Sequence, residues 1–313
     1  MTYSRPLFLG CWLSCLTGAF ILTRTSNGLC QPSPDEEPSN ASDTATNIPV
    51  VTPRTLPGAE SFVYRDGNPD PMRLHVFKPK NWNPTDHRPA LVFFFGGGWT
   101  RGTPERSAAY AKYAATVGMV GVAADYRTRE RFDTTPLESV ADGRAALRWV
   151  ENHASELGIN PARIVVGGSS SGGHVALWTA IEHTPPGSDP NEAPTAKPLA
   201  LILVSPVSDT SMLSGYTPKR FGDKAEALSP YHQLDAQMPP MLVFHGDADT
   251  TVTNRQSIAL HDKLVAGGNT CELITVPGGS HGFQSQLPEW KPRVRDAVTD
   301  FLTRQGILPV IEK

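Results

Sequence analysis

Short runs of apolar residues recur along the chain from about position 60 onward. They are four to eight residues long, the length of a β-strand rather than of a helix. Most of them are almost continuously apolar, as expected for strands buried on both faces of a parallel sheet. The eight runs are SFVY, MRLHVF, ALVFFF, MVGVAADY, RIVVGG, LALILVSP, MLVFHG and CELITV.

Helical patterns with recognisable ends lie between the later runs. One predicted helix extends from Thr103 to Gly118, and a second begins at Thr135, where Glu138 completes a capping box, and ends near Gly158. Three further helices are predicted to follow Ser171, Thr253 and Trp290.

Strands and helices thus alternate through most of the chain, which predicts an α/β fold with a mostly parallel central sheet and helices on both faces. The first two apolar runs flank the turn-rich stretch RDGNPDP, so we expect them to form an antiparallel amino-terminal hairpin.

The first residues have a different pattern. One arginine precedes an apolar run from Leu7 to Leu22, which is typical of a secretory signal peptide, and we assign residues 1–28 to it with an indistinct cleavage site. An uncleaved membrane anchor is the alternative, although polar and small residues interrupt the run and it is short for a span. A lipid-modified cysteine at Cys11, Cys15 or Cys30 is a further alternative.

Residues 29–58 are rich in Pro, Ser, Thr, Asp and Asn and contain too little apolar surface to fold alone, so they are predicted to be a disordered tether. The catalytic domain is then expected at 59–313. We predict an exported protein, at the cell surface, in the periplasm or in the medium, with no membrane span once the signal is removed.

The composition of the chain argues against some classes of function. The chain of 313 residues has 19% charged residues and a formal charge of −3, with no basic face that would indicate nucleic acid. After removal of the signal, at most Cys30 and Cys271 remain, so no disulfide framework is expected. A small or neutral substrate fits this composition, and no pattern predicts an oligomeric state.

The stretch GGSSSGGH at 167–174 points to chemistry. Gly168, Ser170 and Gly172 spell GxSxG between a predicted strand and a predicted helix, the context of a nucleophile elbow. A sharp turn there would present Ser170 outward, whereas Ser169 and Ser171 would be small because space is short.

A serine nucleophile needs a base and an acid that orients the base, and in such a sheet the chain order is serine, acid, histidine. His281 follows the last predicted strand in a glycine-rich loop and is favoured over His261, which lies within a helical pattern. For the acid, Asp247 and Asp249 both follow the strand MLVFHG, and His245 is expected to have a packing role.

The reaction also needs amides that bind a developing oxyanion. The stretch FFFGGGW follows a predicted strand, so the amides of Gly96, Gly97 and Gly98 can lie beside the serine, and the amide of Ser171 adds a donor. Trp99 is a candidate for lining the pocket or for packing, as are Arg101 and Phe283.

Together these motifs resemble those of the α/β-hydrolase serine esterases and lipases, especially the hormone-sensitive-lipase-like and feruloyl/acetyl esterase groups. The resemblance covers about residues 60–305, in the stretches FFGGGW, GGSSSGGH, HGDADTTV and GGSHGF. It implies an α/β-hydrolase fold and a triad of Ser170, Asp249 and His281.

In the same groups, a glycine-rich loop and the residue after the nucleophile form the oxyanion hole, which implies Gly97, Gly98 and Ser171 here. Phe95 departs from the pattern, because many relatives have a histidine there that supports this loop. We expect no large cap domain, so only the inserts at 184–198 and 210–238 could shade the site.

The resemblance implies a secreted carboxylic ester hydrolase acting on short-chain esters, including acetyl or feruloyl esters of polysaccharides, without a metal or organic cofactor. Its partner would be a small-molecule or polysaccharide ester. A prolyl-type serine peptidase and a catalytically inactive binding module are the alternatives.

Overall fold

The computed structural model describes residues 52–186 and 195–309. The predicted signal peptide and most of the predicted tether therefore lie outside the described residues. All eight apolar runs contribute strands to one sheet. The strands are β1 (Glu60–Arg65), β2 (Met72–Phe77), β3 (Arg88–Phe94), β4 (Val120–Ala124), β5 (Ile159–Ser169), β6 (Ala200–Val204), β7 (Met241–Gly246) and β8 (Cys271–Val276).

The sheet has the order β1-β2-β4-β3-β5-β6-β7-β8. Strand β2 is antiparallel to both of its neighbours, and every other neighbouring pair is parallel. The predicted fold class, including its antiparallel hairpin, is confirmed.

The longer predicted helices are also present, and each packs beside the sheet. The capping box predicted at the start of the second helix is formed, since the backbone N–H and the hydroxyl of Thr135 both bond to the carboxylate of Glu138. The helices are α1 (Ala108–Thr116), α2 (Arg129–Phe132), α3 (Pro136–Asn152), α4 (Ser171–Thr179), α5 (Pro230–Gln233), α6 (Arg255–Ala266), α7 (Phe283–Gln286) and α8 (Trp290–Arg304).

Three of these helices were not predicted from the sequence, namely α2, α5 and α7. Each has only four residues, too few for an amphipathic period to appear. Two 3₁₀ helices, Pro104–Arg106 and Pro218–Lys224, complete the helical segments of the described residues.

Apolar side chains cover both faces of the sheet. One cluster joins alternate residues of the central strands to α3 and α4, and a second joins the opposite face to α8. Within β3, for example, Val92 and Phe94 point into the first cluster while Leu91 and Phe93 point into the second. This alternation explains why the central strands read as continuous apolar runs.

The packed part of the chain begins before β1. Leu56 is buried beside Phe77 and Ala123, and Thr52 is also buried. These residues lie at the end of the segment predicted as a tether. Among the helices formed by the described residues, none is long and apolar enough to cross a membrane.

The strand register brings the loops of interest together. Phe94, at the end of β3, pairs with Gly168 of β5 on one side and with Ala124 of β4 on the other. Because these strands are parallel, the residues that follow each of them emerge at the same edge of the sheet. The glycine loop after β3 and Ser170 after β5 are therefore neighbours.

Candidate active site

Ser170 occupies a sharp turn between β5 and α4. Its backbone has φ 52° and ψ −122°, a conformation that costs on the order of 1–3 kcal/mol for a residue with a side chain. Two glycines permit the turn. A Cβ atom on Gly168 would lie 2.1 Å from the carbonyl oxygen of Gly172, and a Cβ atom on Gly172 would lie 2.3 Å from that of Phe95.

The structure brings the predicted triad together. His281 Nε2 lies 2.9 Å from Ser170 Oγ, and His281 Nδ1 lies 2.7 Å from Asp249 Oδ2. Asp249 follows β7, and His281 follows β8. The Asp249 carboxylate has no free proton to give, so Nδ1 carries the ring proton, and Nε2 is left to accept the proton of the serine hydroxyl.

Four donors hold the carboxylate of Asp249. Its Oδ1 accepts the amides of Thr251 and Val252 at 2.9 Å each, and its Oδ2 accepts His281 and, at 3.1 Å, His245 Nε2. Burial opposes ionisation, but the hydrogen bonds from His245 and His281 outweigh it and hold the pKa of Asp249 well below its usual range. The carboxylate is therefore ionised and fixed in orientation.

His245 supports Asp249 from behind. Its Nε2 also lies 2.8 Å from the carbonyl oxygen of Val252, which can only accept, so Nε2 carries the proton and donates to both groups. The hydroxyl of Ser257 lies 2.7 Å from Nδ1 and donates to it. With both ring nitrogens engaged and only 1% of the residue exposed, His245 has the hydrogen-bonding and packing role expected from the sequence.

The other acidic and histidine candidates lie elsewhere. His261 is on α6, 2.9 Å from the carboxylate of its neighbour Asp262. Asp247 is exposed and accepts the amide of Gly278 at 2.7 Å. Of the two acids that the residues alone left open, Asp249 is the one beside His281.

The predicted oxyanion donors differ from one another in their contacts. The amide of Gly97 donates to the hydroxyl of Ser171 at 3.0 Å. The amides of Gly98 and Ser171 donate to no group among residues 52–186 and 195–309, and the latter is the first amide of α4, which has no acceptor within the helix. These two amides are free to bind an oxyanion in this conformation.

A buried tyrosine ties the glycine loop to the elbow. The Tyr126 hydroxyl donates to the carbonyl oxygen of Phe95 at 2.7 Å and lies 3.3 Å from Ser171 Oγ. Each hydroxyl has one proton to donate, so the hydrogen bonds form a chain that runs in one direction. Gly97 N–H donates to the Ser171 hydroxyl, which donates to the Tyr126 hydroxyl, which donates to the Phe95 carbonyl oxygen. Both ends of this chain lie on the glycine loop, so its backbone is held against the nucleophile.

The aromatic rings add to this clamp. Phe95 stacks on Tyr126 with ring centroids 4.2 Å apart and planes 12° from parallel. Burial, above all, raises the pKa of Tyr126 far above its usual value, so its hydroxyl stays a donor. The sequence indicated that Phe95 replaces a supporting histidine, but it did not identify Tyr126, which lies in an ordinary strand end and meets the loop only through folding.

A pocket of about 690 Å³ opens at Ser170. Tyr216 and Arg220, from the insert at 210–238, form part of its wall, whereas residues 187–194 of the other insert lie outside the described part of the chain. Arg101 also lines the pocket. Trp99 and Phe283 are core residues instead, each at most 2% exposed.

Comparison with known proteins gives two family models and several solved esterase structures. The BD-FAE family model matches residues 74–198, and the model of the prolyl oligopeptidase family matches residues 137–305, more than half of the chain. A solved structure of Thermogutta terrifontis esterase 2, phosphoramylated by tabun, is 37% identical with a TM-score of 0.75, over 82% of this chain and 97% of that one. The propionate-bound structure of that esterase has a TM-score of 0.74, with the same identity and coverage.

A more distant similarity links the chain to a mycobacterial protein. Esterase LipQ of Mycobacterium tuberculosis is 27% identical over 248 residues, which are 73% of this chain and 58% of LipQ. The chain thus spans little more than half the length of this curated relative.

The Tyr126 clamp predicts a separable effect on turnover. Removing the hydroxyl in Tyr126→Phe leaves the Phe95 carbonyl without its donor, and we expect a loss of about 1–3 kcal/mol in the free energy of unfolding. Because the oxyanion loop loses its tether, kcat for 4-nitrophenyl acetate should also fall roughly tenfold with little change in KM.

Tyr64→Phe is the matched control. Tyr64 likewise donates to a backbone carbonyl, that of Asp125, at 2.7 Å. This variant should lose comparable stability in urea unfolding and keep its kcat. Equal kcat values for the two variants would contradict the clamp.

Proposed function

Because the chain belongs to the α/β-hydrolase serine esterases, we propose that it is an exported carboxylic ester hydrolase that cleaves short-chain esters, including acetyl or feruloyl esters of polysaccharides. The observation that carries the proposal is the continuous hydrogen-bond line from Ser170 through His281 to Asp249, with bonds of 2.9 and 2.7 Å. This line opens into a pocket beside free backbone amides.

In the first half of the reaction, Ser170 Oγ attacks the ester carbonyl carbon while His281 Nε2 removes the hydroxyl proton. The Asp249 carboxylate keeps the proton on Nδ1 and stabilises the imidazolium that forms. The carbonyl oxygen becomes an oxyanion and is bound by the amides of Gly98 and Ser171. Gly97 lies in the same loop, where its amide donates to the Ser171 hydroxyl. His281 then returns the proton to the departing alcohol, which leaves an acyl-enzyme.

Water completes the cycle by the same route. His281 removes a proton from water as the water oxygen attacks the acyl carbon, and the oxyanion forms again in the same hole. When the tetrahedral intermediate collapses, His281 gives the proton back to Ser170 Oγ and the carboxylic acid is released. Each oxyanion donor is expected to contribute about a hundredfold in rate.

Two observations support short acyl groups. The described residues that line the pocket include one aliphatic side chain, Val204, and one aromatic side chain, Tyr216, too little apolar surface to bind a long alkyl chain. The similar Thermogutta esterase has a structure with bound propionate, a short-chain acid. A polysaccharide ester is the finer proposal, favoured by predicted export.

A prolyl-type peptidase is the second candidate, favoured by the family model that matches residues 137–305. That segment contains all three triad residues, so the same chemistry could act on an amide.

Aryl esters test the core of the proposal. With 4-nitrophenyl esters from acetyl to octanoyl, we expect the acetyl ester to be preferred. Ser170→Ala and His281→Ala should each reduce kcat by about a thousandfold or more, because each removes a reacting group. His261→Ala, the matched control on α6, should retain full activity.

The same variants separate the alternatives. A fluorophosphonate probe should label the wild-type protein and not Ser170→Ala. If the wild-type protein neither reacts with the probe nor hydrolyses any aryl ester, it is a binding module. If it cleaves glycyl-prolyl-4-nitroanilide faster than the acetate ester, the peptidase assignment is correct and the esterase proposal is wrong.

The natural alcohol is tested with a polymer. We expect acetate release from acetylated xylan, per active site, to match or exceed hydrolysis of 4-nitrophenyl acetate. Acetate can be quantified directly by chromatography. A preference for triacylglycerol or other lipid esters would contradict the polysaccharide proposal and leave the esterase proposal intact.

Export is tested at the amino terminus. Expression of the full chain in a secreting host should give a mature protein that lacks about residues 1–28, as read by mass spectrometry of the intact product. Retention of Met1 on a membrane-bound protein would favour the anchor alternative.

A further inference from the structure

Arginine side chains surround the pocket at Ser170. Arg101, Arg106 and Arg220 line it, while Glu130 is the one acidic side chain among the described residues that do so. Pockets for neutral small molecules are lined mainly by apolar groups with a few polar ones. The excess of cations here is therefore a property that hydrolysis of a neutral ester does not require.

Two of these guanidinium groups are held in place by the oxyanion loop. Arg220 Nη1 donates to the carbonyl oxygen of Gly98 at 2.8 Å, and Arg106 Nη1 donates to that of Gly96 at 3.4 Å. Each guanidinium has five N–H donors, so most of the donors on these two remain available. The side chain of Arg101 lines the pocket and donates no hydrogen bond to the described residues.

Counterions for these cations are absent from the described part of the chain. None of Arg101, Arg106 and Arg220 forms an ion pair with residues 52–186 or 195–309. A second pocket of about 270 Å³ shares Arg220 and adds Arg129 and Lys219. The positive charge is thus spread along two adjoining pockets, in a chain whose formal charge is −3.

We propose that this site selects esters that carry a carboxylate, placed so that Arg101, Arg106 and Arg220 bind it while Ser170 attacks the ester carbonyl. The inference rests on the proposed esterase function and names the substrate class within it. Arginine binds carboxylates through paired N–H donors, and a carboxylate would supply the counterion that the described residues do not. Because the cations extend over two pockets, an extended acidic ester fits better than a compact anion.

The carboxylate could belong to either half of the ester. On the alcohol half it would be part of the leaving group, as on an acidic sugar that carries an acetyl ester. On the acyl half it would make the substrate a half-ester of a dicarboxylic acid. In both cases the chemistry at Ser170 is unchanged, and the arginines act on binding and orientation.

Two matched pairs of substrates test the inference on the full-length protein. For the alcohol half, 4-acetoxybenzoate is compared with the neutral 4-acetoxybenzamide. For the acyl half, mono-4-nitrophenyl adipate is compared with 4-nitrophenyl hexanoate. With each rate normalised to hydroxide hydrolysis, we expect kcat/KM to favour the charged member of at least one pair by about tenfold at low salt. That preference should shrink as sodium chloride is added, because salt screens exposed charges.

Variants locate the effect. Arg101→Gln should lower the charged-to-neutral ratio of kcat/KM, mainly through KM of the charged ester, and Arg101→Gln/Arg106→Gln should lower it further. Arg220→Lys keeps the charge and should keep most of the ratio. Arg293→Gln is the control, since Arg293 is an exposed cation on α8 that packs over Trp290 and should leave the ratio as in the wild type.

The outcomes separate this inference from the proposed function. If both neutral esters are hydrolysed and neither charged ester is preferred, the inference is wrong and the esterase proposal stands. A preference that survives both the double substitution and high salt would show that these arginines do not cause it, and the inference would again be wrong. If no ester is hydrolysed, the proposed function fails and the inference fails with it.

Discussion

The structure around the pocket depends on one strained residue. Ser170 adopts φ 52° and ψ −122° because β5 must end and α4 must begin without a loop between them. Backbone hydrogen bonds keep Ser170 in this conformation. Its amide donates to the carbonyl oxygen of Val204 at 3.0 Å, and its own carbonyl oxygen accepts the amides of Gly173 and Val207 at 2.9 and 3.2 Å. A strained serine fixed by the next strand cannot relax inward, so its hydroxyl stays at the edge of the sheet.

The edge position lets other elements reach the hydroxyl without long insertions. Parallel strands all deliver their carboxyl ends to the same side, so the loop after β3, the turn after β5 and the loops after β7 and β8 meet there. Gly97 and Ser171 are far apart in sequence yet share a hydrogen bond of 3.0 Å. The sheet supplies the alignment, and each loop needs to provide only one or two groups.

Local signals in the sequence account for what could be predicted. Eight apolar runs of strand length predicted the strands of the sheet, and the Thr135 capping box predicted where α3 begins. The elbow and the late glycine-rich loop led to Ser170 and His281, which lie 2.9 Å apart in the structure. The sequence pattern alone did not show whether Asp247 or Asp249 is the acid, and only the family resemblance favoured Asp249. In the fold the two differ because the carboxylate of Asp249 faces the imidazole of His281.

Features that depend on contacts between distant segments were not predictable from sequence. Tyr126 has no motif of its own, and its role follows from the register that sets β4 beside β3. Trp99 follows the glycine loop, a position that left lining the pocket and packing equally open, and the ring lies in the core against His174 and Phe221. The convergence of Arg220 with Arg101 required the insert at 210–238 to fold back over the oxyanion loop.

The charges around His281 then form an ordered set. Asp249 lies on one side of the ring, ionised and fixed by four donors, and it favours the imidazolium that forms during attack. On the pocket side, Arg101 and Arg220 line the same cavity as His281. A carboxylate bound by these arginines would hold the ester at the pocket and leave the proton transfer to Ser170, His281 and Asp249. The groups that transfer the proton and the cations that would bind the substrate are therefore separate, so a substrate carboxylate acts on binding and orientation while Asp249 and His281 set turnover.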